Sequence, residues 1–479
     1  MKIVLVNPPF VFPHRKDRIL SHCLGLRYIS SYLKQSGHEV AFVDALKEGF
    51  DTIRPFGASV VVGLTPLEIA ERIPADTELV GISAPFSLLA PLVHELVAEV
   101  KRRYPGMQVV MGGVYPSTQP ELALQSGVDY IVVGEGETVL SRIAGGFPAE
   151  SLQGVYPAGH PGPYPAAEMV AHLDQLPFPD YDIPDIETYF LRSPRQHKGE
   201  LTASIITSRG CPYACRFCSV HPVYGRGWRG RSADNVLAEL DLLTGKYGVT
   251  AVEFEDDNIT LDRGRAAEIV EGLIKRREAN RALTWATPNG VRIDTLDEAL
   301  IKQIVRSGCR EIVLALEHGD QEMLTIMDKR LDLDRALDVI RLLVMHGMPR
   351  IIIFVIVGYP GETEARFQNS LTVLRTIKSL GGNIQVCANL AQPYPGTDLF
   401  RQCEENGFFV NRSVADLFDR NHILSTSYSV SIVTPDFSAA DVLRRLAEIQ
   451  AVFDGRMRTV LKRIEPLKKC VRAIRGYLN

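Results

Sequence analysis

Cys211-Pro-Tyr-Ala-Cys215-Arg-Phe-Cys218 constrains this chain more than any other stretch. Three thiols spaced C-x3-C-x2-C on one short loop can converge on one face of an iron–sulfur cube, and the loop is entered from an apolar run, Ser204-Ile-Ile-Thr. Four cysteines saturate a four-iron cluster, so three leave one iron without a protein ligand. An open iron is what a cluster needs if it must bind and reduce a substrate rather than only pass electrons. The competing reading is structural zinc, because His221 lies just past Cys218 and completes a Cys3His set. Context favours the cluster. Structural zinc usually uses paired knuckles, whereas this loop leaves the end of a predicted strand and precedes a long series of strand–helix units.

Composition narrows the class. With 479 residues, 46% apolar and 23% charged at a net charge of −4, the chain is long enough for about two or three domains. It has no basic excess of the kind nucleic-acid binding uses. The opening Met1-Lys-Ile-Val-Leu-Val-Asn-Pro-Pro stops at a proline pair, too short an apolar run for a signal peptide. No stretch approaches the length of a membrane span. Eight cysteines, three of them clustered, suit a reducing cytoplasm rather than a disulfide framework. A cytoplasmic location is therefore expected, with Cys23, Cys309, Cys387, Cys403 and Cys470 mostly small buried apolar residues.

Residues 1–150 alternate short apolar runs with amphipathic helices. Strands are predicted at Lys2–Val6, Glu39–Asp44, Leu79–Ser83, Val109–Gly113 and Tyr130–Gly134, and helices at Leu24–Gln35 and Leu92–Arg103. The pattern predicts a doubly wound, Rossmann-like parallel sheet, whose ligands sit at the carboxyl ends of the strands. Those ends carry Pro8, Ser83, Gly112-Gly113 and Gly134-Glu135-Gly136, small residues that let a large flat ligand approach the backbone. Residues 151–198 are rich in Pro and Gly and read as a connector. From 199 to 400, six apolar strands recur at Thr202–Ser208, Ala251–Asp256, Leu283–Asn289, Glu311–Glu317, Ile351–Val357 and Ile384–Leu390. Helices such as Asp234–Tyr247, Arg263–Arg277 and Thr363–Leu380 fall between them. The repeat predicts a partial (β/α)6 TIM-like barrel, with the cysteine loop at the carboxyl-terminal rim where such barrels carry their chemistry.

Taken together, the cysteine loop and the phrases around it resemble the B12-binding radical S-adenosylmethionine (SAM) enzymes. The phrases are Gly112-Gly113-Val-Tyr-Pro-Ser-Thr-Gln-Pro-Glu121, Val132-Val-Gly-Glu-Gly-Glu137, Leu173-Asp-Gln-Leu-Pro-Phe-Pro-Asp-Tyr181, Trp228-Arg-Gly-Arg-Ser232, Gly358-Tyr-Pro-Gly-Glu-Thr363 and Tyr394-Pro-Gly-Thr397. The resemblance implies that Cys211, Cys215 and Cys218 hold a [4Fe–4S] cluster whose open iron is chelated by the amino and carboxylate groups of SAM. It places Phe217 near the adenine and Glu255, Asp256 and Asp257 at the methionine end, a helix N-cap being the other use for that acidic turn. It places Glu317 near the ribose, with His318 where the family has Ser. Arg292 would meet the SAM carboxylate or pair on the surface, and Gly358 would let adenine lie on the backbone. Pro8, Ser83, Gly112, Gly113, Gly134, Glu135 and Gly136 would line a cobalamin site. The Asp-x-His-x-x-Gly segment that gives many cobalamin domains a lower axial His is missing, His14 being in the wrong spacing. Family members without that His bind cobalamin with its lower face open or water-bound. The alternative is a vestigial domain that only shields the active site.

What the resemblance implies is methylation of an unactivated carbon. One SAM hands its methyl group to cobalamin, and a second is cleaved reductively to a 5′-deoxyadenosyl radical that takes hydrogen from the substrate. Alternatives are radical oxidation, cyclisation, rearrangement or carbon–carbon coupling, and a non-catalytic cobalamin or Fe–S regulator. The expected partners are a small-molecule or lipid substrate and an external electron donor such as flavodoxin or ferredoxin, with no nucleic acid. Residues 401–479 are expected to be mostly helical. Their end, Arg456–Asn479, carries eight Lys or Arg against the single acidic Glu465, either a basic face for an anionic membrane surface or a solvated terminus.

Overall fold

Apolar runs that are buried on both faces become parallel strands sandwiched between helices, and the structure, a computed structural model, contains two such sheets. It describes residues 1–20, 22–57, 59–192, 199–279, 283–410 and 430–454. The first part supplies β1 (Lys2–Asn7), β2 (Phe10–Phe12), β3 (Glu39–Asp44), β4 (Ile53–Phe56), β5 (Ser59–Val62), β6 (Leu79–Ser83), β7 (Gln108–Gly112), β8 (Tyr130–Val132) and β9 (Val155–Pro157). Six of these form a sheet in the order β3-β1-β6-β7-β8-β9. Side-chain alternation sorts its two cores. Ile3 and Leu5 pack with the helices Leu24–Gln35 and Glu137–Ala144. Val4 and Val6 pack with Pro66–Arg72 and Ala90–Arg103 on the other side.

The expected parallel sheet needs two corrections. Val155–Pro157 lies in the stretch read as connector, yet it pairs antiparallel with β8 and closes that edge. There is also a second, three-stranded antiparallel sheet, β2-β5-β4, whose strands flank β3 in the chain. Its strands are too short to show a period, and Pro55 in β4 sits where proline is tolerated, on an edge.

The second part supplies β10 (Thr202–Ile205), β11 (Ser208–Arg209), β12 (Arg229–Gly230), β13 (Ala251–Phe254), β14 (Thr284–Val291), β15 (Cys309–Glu317), β16 (Ile351–Val357) and β17 (Ile384–Leu390). Six of them run in parallel in the order β10-β13-β14-β15-β16-β17, the partial barrel expected. On β16, Ile351, Ile353, Val355 and Val357 are buried against the helices, whereas Ile352, Phe354 and Ile356 face the other way and are half-buried. Their register partners on β17 are Gln385, Cys387 and Asn389, so that face is apolar on one strand and polar on the next. Beyond the barrel, Asp398–Asn406 is helical, and Ala439–Asp454 packs back onto β16 and β17. Cys470 and the basic stretch Arg456–Asn479 lie outside the described residues. No helix among the described residues is long and apolar enough to cross a membrane.

The connector ties the two parts together. Asp180 accepts from Ser30 Oγ at 2.7 Å and from Lys34 Nζ at 2.6 Å, and Tyr181 donates to Glu239 at 2.6 Å. Tyr189, from the short helix Glu187–Leu191, bonds Asp44 at the end of β3. His22 packs beside this joint, its ring 4.8 Å from Tyr189 and 5.2 Å from Phe190 between centroids. Burial, then the charge of Arg27, pushes the His22 imidazole down to about 3. The folded chain thus keeps His22 neutral while the unfolded chain protonates it near 6.5. Its contribution is fully present above the unfolded value and is lost as pH falls from 6.5 toward 3. His22→Phe is expected to move the acid unfolding midpoint to lower pH. An unchanged acid profile, followed by tryptophan fluorescence, would remove His22 from the joint.

Candidate active site

The cysteine loop is held from its entry. Beyond β10, Asp256 accepts from Thr207 N at 3.1 Å, from Thr207 Oγ1 at 2.7 Å and from the Ser208 hydroxyl. Arg265 donates to Thr207 O at 2.7 Å. The chain then runs through β11, leaves it at Gly210 and returns as β12, with Arg209 directly opposite Arg229. Gly210 has φ +83°, and a Cβ there would stand 2.3 Å from the Gly227 carbonyl oxygen, so only glycine can open this turn. Its N–H donates to Asp257 at 3.1 Å.

The loop backbone docks on the barrel rim. Arg216 N donates to Met327 O at 3.0 Å, and Leu399 N donates to Arg216 O at 2.8 Å. His221 Nε2 lies 3.0 Å from the Cys211 carbonyl oxygen. The three cysteines are free and partly buried. Burial pushes each thiol up, Cys218 to about 12; Cys215 feels Cys211, and Cys218 feels both of the others. Among the described residues no three His, Cys, Asp or Glu side chains gather where one metal ion would sit. A cubane makes no such demand, since its thiolates bind different irons, and three adjoining thiols on an anchored loop fit that donor set.

The expected SAM residues divide into two groups. Phe217 lies within the loop, and Asp257 and Glu317 border it. Phe217 meets Tyr359 edge-on at 6.5 Å, and burial raises Asp257 to about 6. Glu317 has φ +68° and pairs with Lys329 at 3.0 Å, both buried. Glu255 accepts from Ser204 at 3.2 Å, and its carbonyl accepts from Asn289 at 2.8 Å. Asp256 and Arg292, by contrast, are committed to protein partners. Arg292 donates to Lys329 O at 2.6 Å and to Arg330 O at 2.5 Å, and stacks on Tyr213 of the loop at 3.7 Å. It is 5% exposed, and it also makes the side-chain ion pair considered for it, its Nε lying 2.7 Å from the part-exposed Asp294. The N-cap use of the acidic turn fails, because the following helix begins at Arg263 and is capped by Asp262. Gly358 has φ +78°, and a Cβ there would meet Val442 of the helix Ala439–Asp454 at 3.0 Å. Its missing side chain makes room for a helix, a use the sequence did not reveal. His318 accepts from Asp320 N at 3.1 Å and reaches Glu362 at 3.1 Å, a contact that braces two rim loops. Lys329 went unnoticed in the sequence. Burial works to lower its pKa, and Glu317 and the Cys215 sulfur outweigh burial and raise it.

At the other rim, Pro8, Ser83, Gly112, Gly113 and Gly134 follow or end the adjacent strands β1, β6, β7 and β8. A Cβ on Gly113, at φ +118°, would stand 2.6 Å from the Ala84 oxygen. Ser117 donates to Gly113 O at 2.7 Å and accepts from Gly134 N at 3.0 Å, which joins the two glycine turns. Gly136 lies against Ile29, 3.1 Å from where its Cβ would be. Glu135 does not face that rim. It is buried against Arg209, Arg229 and Val170 N. His14 is exposed, past β2. The two rims face each other, for a Cβ on Gly396, after β17, would lie 3.4 Å from Thr118 of the first part and 3.2 Å from Pro222 beyond the cysteine loop.

The Radical SAM superfamily matches residues 205–374, and the B12 binding domain matches residues 19–144. An uncharacterised methyltransferase of Pyrococcus horikoshii is 26% identical over 100% of this chain and 98% of its own length. The cytidylyl-2-hydroxyethylphosphonate methyltransferase of Streptomyces wedmorensis is 28% identical over 85% of this chain and 82% of its own. Among solved structures, the radical SAM methyltransferase TsrM of Kitasatospora setae, with cobalamin and a [4Fe–4S] cluster bound, superposes with a TM-score of 0.65 at 19% identity, covering 86% of this chain and 79% of that one.

Proposed function

The chain belongs to the radical SAM enzymes that carry a B12-binding domain, and we propose that it methylates an unactivated carbon of a small molecule. The observation that carries this reading is the apposition of the two rims across the cysteine loop, at Gly396, Thr118 and Pro222. A substrate between them is within reach of both halves. When bound, the cluster with SAM supplies hydrogen abstraction and cobalamin supplies the methyl group.

In this reading Cys211, Cys215 and Cys218 hold the cluster, with Asp257, Glu317, Phe217 and Glu255 around SAM. Gly358 and Arg292 shape that site from behind, and Asp256 fixes the loop entry through Thr207. Pro8, Ser83, Gly112, Gly113, Gly134 and Gly136 would hold the corrin. The half-buried Phe354 and Ile356, toward the carboxyl end of β16, keep water from the reacting carbon, while Asn389, the register partner of Ile356, offers hydrogen bonds to a polar substrate. The names of two relatives, both methyltransferases and one of them a cytidylyl-2-hydroxyethylphosphonate methyltransferase, support methyl transfer to a small polar compound. A flavodoxin or ferredoxin would supply the electron.

The test is anaerobic reconstitution with iron, sulfide and hydroxocobalamin, followed by strong reduction and SAM. S-adenosylhomocysteine is expected in step with the bound cobalamin, together with 5′-deoxyadenosine from cleavage at the cluster. 5′-Deoxyadenosine alone would replace methyl transfer with another radical reaction, and neither product would end the enzymatic reading.

A further inference from the structure

A buried ion quartet crosses between the two parts of the chain at the foot of the cysteine loop. Arg209 Nη1 donates to Glu135 Oε1 at 3.0 Å, and Arg209 Nη2 to Glu137 Oε1 at 2.6 Å. Arg229 reaches both oxygens of Glu135, at 2.9 and 2.7 Å. Val170 N completes the Glu135 shell at 2.9 Å. The side chains of Arg209, Glu135 and Glu137 are 8%, 3% and 4% exposed.

We infer that this quartet is the positioning device that sets the B12-binding rim against the cluster loop. This rests on the function proposed above and concerns residues to which that reading gives no task. Three features of its placement carry it.

Arg209 and Arg229 are register partners in the β11–β12 hairpin, and everything between them, Gly210 to Trp228, is the segment bearing the three thiols. The quartet therefore grips both ends of that segment at once. Its acidic half comes from the turn after β8, where Glu135 and Glu137 flank Gly136 and follow Gly134. One turn thus presents small residues at the rim and carboxylates to the cluster loop.

The bonding is also directional. Arg229 forks onto both oxygens of Glu135 while Arg209 spans Glu135 and Glu137, an arrangement that fixes distance and angle together, whereas an apolar contact of the same size would tolerate sliding. Buried ion pairs contribute little net stability when desolvation is counted, and their attested use is to fix register. In a reaction shared between two cofactors, register decides the rate, since a misplacement of about 1 Å costs on the order of 100-fold.

Tyr28 strengthens the same joint. Its ring lies 5.2 Å under Arg209, and its hydroxyl donates to Ile206 O at 3.3 Å. The helix Leu24–Gln35 is thereby referred to the same hairpin.

The experiment compares unmodified protein with the Glu135→Gln/Glu137→Gln variant, both reconstituted with iron, sulfide and hydroxocobalamin and then reduced. Iron and cobalamin contents are measured first. The readout is the electron-spin relaxation of bound cob(II)alamin beside the reduced cluster. In the unmodified protein the cluster is expected to hasten that relaxation. The variant, with equal iron and cobalamin, is expected to lose the enhancement.

Retention of the full enhancement overturns the inference. So does loss of cobalamin with undiminished coupling in the corrin that remains, because Glu135 would then be a corrin ligand. If the double variant does not fold, Arg229→Gln, which leaves the Arg209 bridges in place, is read in the same way. An unmodified protein that binds no cobalamin fails the proposed function instead, so the two failures are distinct.

Discussion

Alanine at Cys211, Cys215 and Cys218 is expected to abolish iron incorporation and SAM cleavage, while cobalamin content stays at the level of the unmodified protein. The separation of effects follows from how the loop is held. Its anchors are Thr207 on Asp256, Gly210 N on Asp257, and the Arg216 backbone between Met327 and Leu399. None of these uses a sulfur, so the fold should survive the loss of all three thiols. The B12-side rim is built from strands β1, β6, β7 and β8, whose cores contain none of the three. Iron analysis, visible absorption of the corrin and 5′-deoxyadenosine production measure the three quantities. Continued SAM cleavage by the triple variant would move the cluster elsewhere in the chain.

Much of this architecture was legible because parallel strands buried on both faces write themselves as continuous apolar runs. Ile351–Val357 appears in the structure with the bounds the sequence predicts, as does the helix Leu24–Gln35; Ile384–Leu390 keeps its predicted bounds too, although its apolar residues alternate with polar ones. The misses are elements whose stability comes from elsewhere. The β11–β12 hairpin is two residues on each side, and no local pattern marks a pair that short. At the site, the cysteine spacing is a chemical signature and needs no fold to be read. Side-chain direction is different. Nothing local says that Asp256 turns back to Ser208, that Arg292 spends its donors on the 329–330 carbonyls, or that Glu135 meets arginines more than seventy positions away. Those outcomes are set by which rims the topology brings together. Trp228-Arg-Gly-Arg-Ser232 was visible as a phrase, yet only the hairpin register gives Arg229 a task.

Lys329 is the residue the sequence hid best, and Lys329→Met is expected to have a large effect. Four non-glycine residues in the described chain have positive φ, and three of them, Glu317, Asp328 and Arg330, are one half of this ion pair and the two neighbours of the other. Left-handed backbone at such residues costs about 1–3 kcal/mol each and persists where a site requires it. Here it turns Lys329 inward onto Glu317, at 3.0 Å, beside Cys215. Removing one partner leaves the other charge buried and alone, so Lys329→Met or Glu317→Gln should each lower the unfolding free energy by about 3–5 kcal/mol. The double variant should lose much less than the sum of the two, because neither charge is then stranded. Urea unfolding of the apoprotein measures this cycle. The same pair should tune the cluster, whose potential responds to nearby charge. Removing the cation next to Cys215 makes the added electron less welcome, so Lys329→Met should shift the midpoint potential to more negative values. Glu317→Gln should shift it the other way. EPR-monitored redox titration reads both signs, and identical potentials in all three proteins would detach the pair from the cluster and leave its strained loop without a chemical purpose.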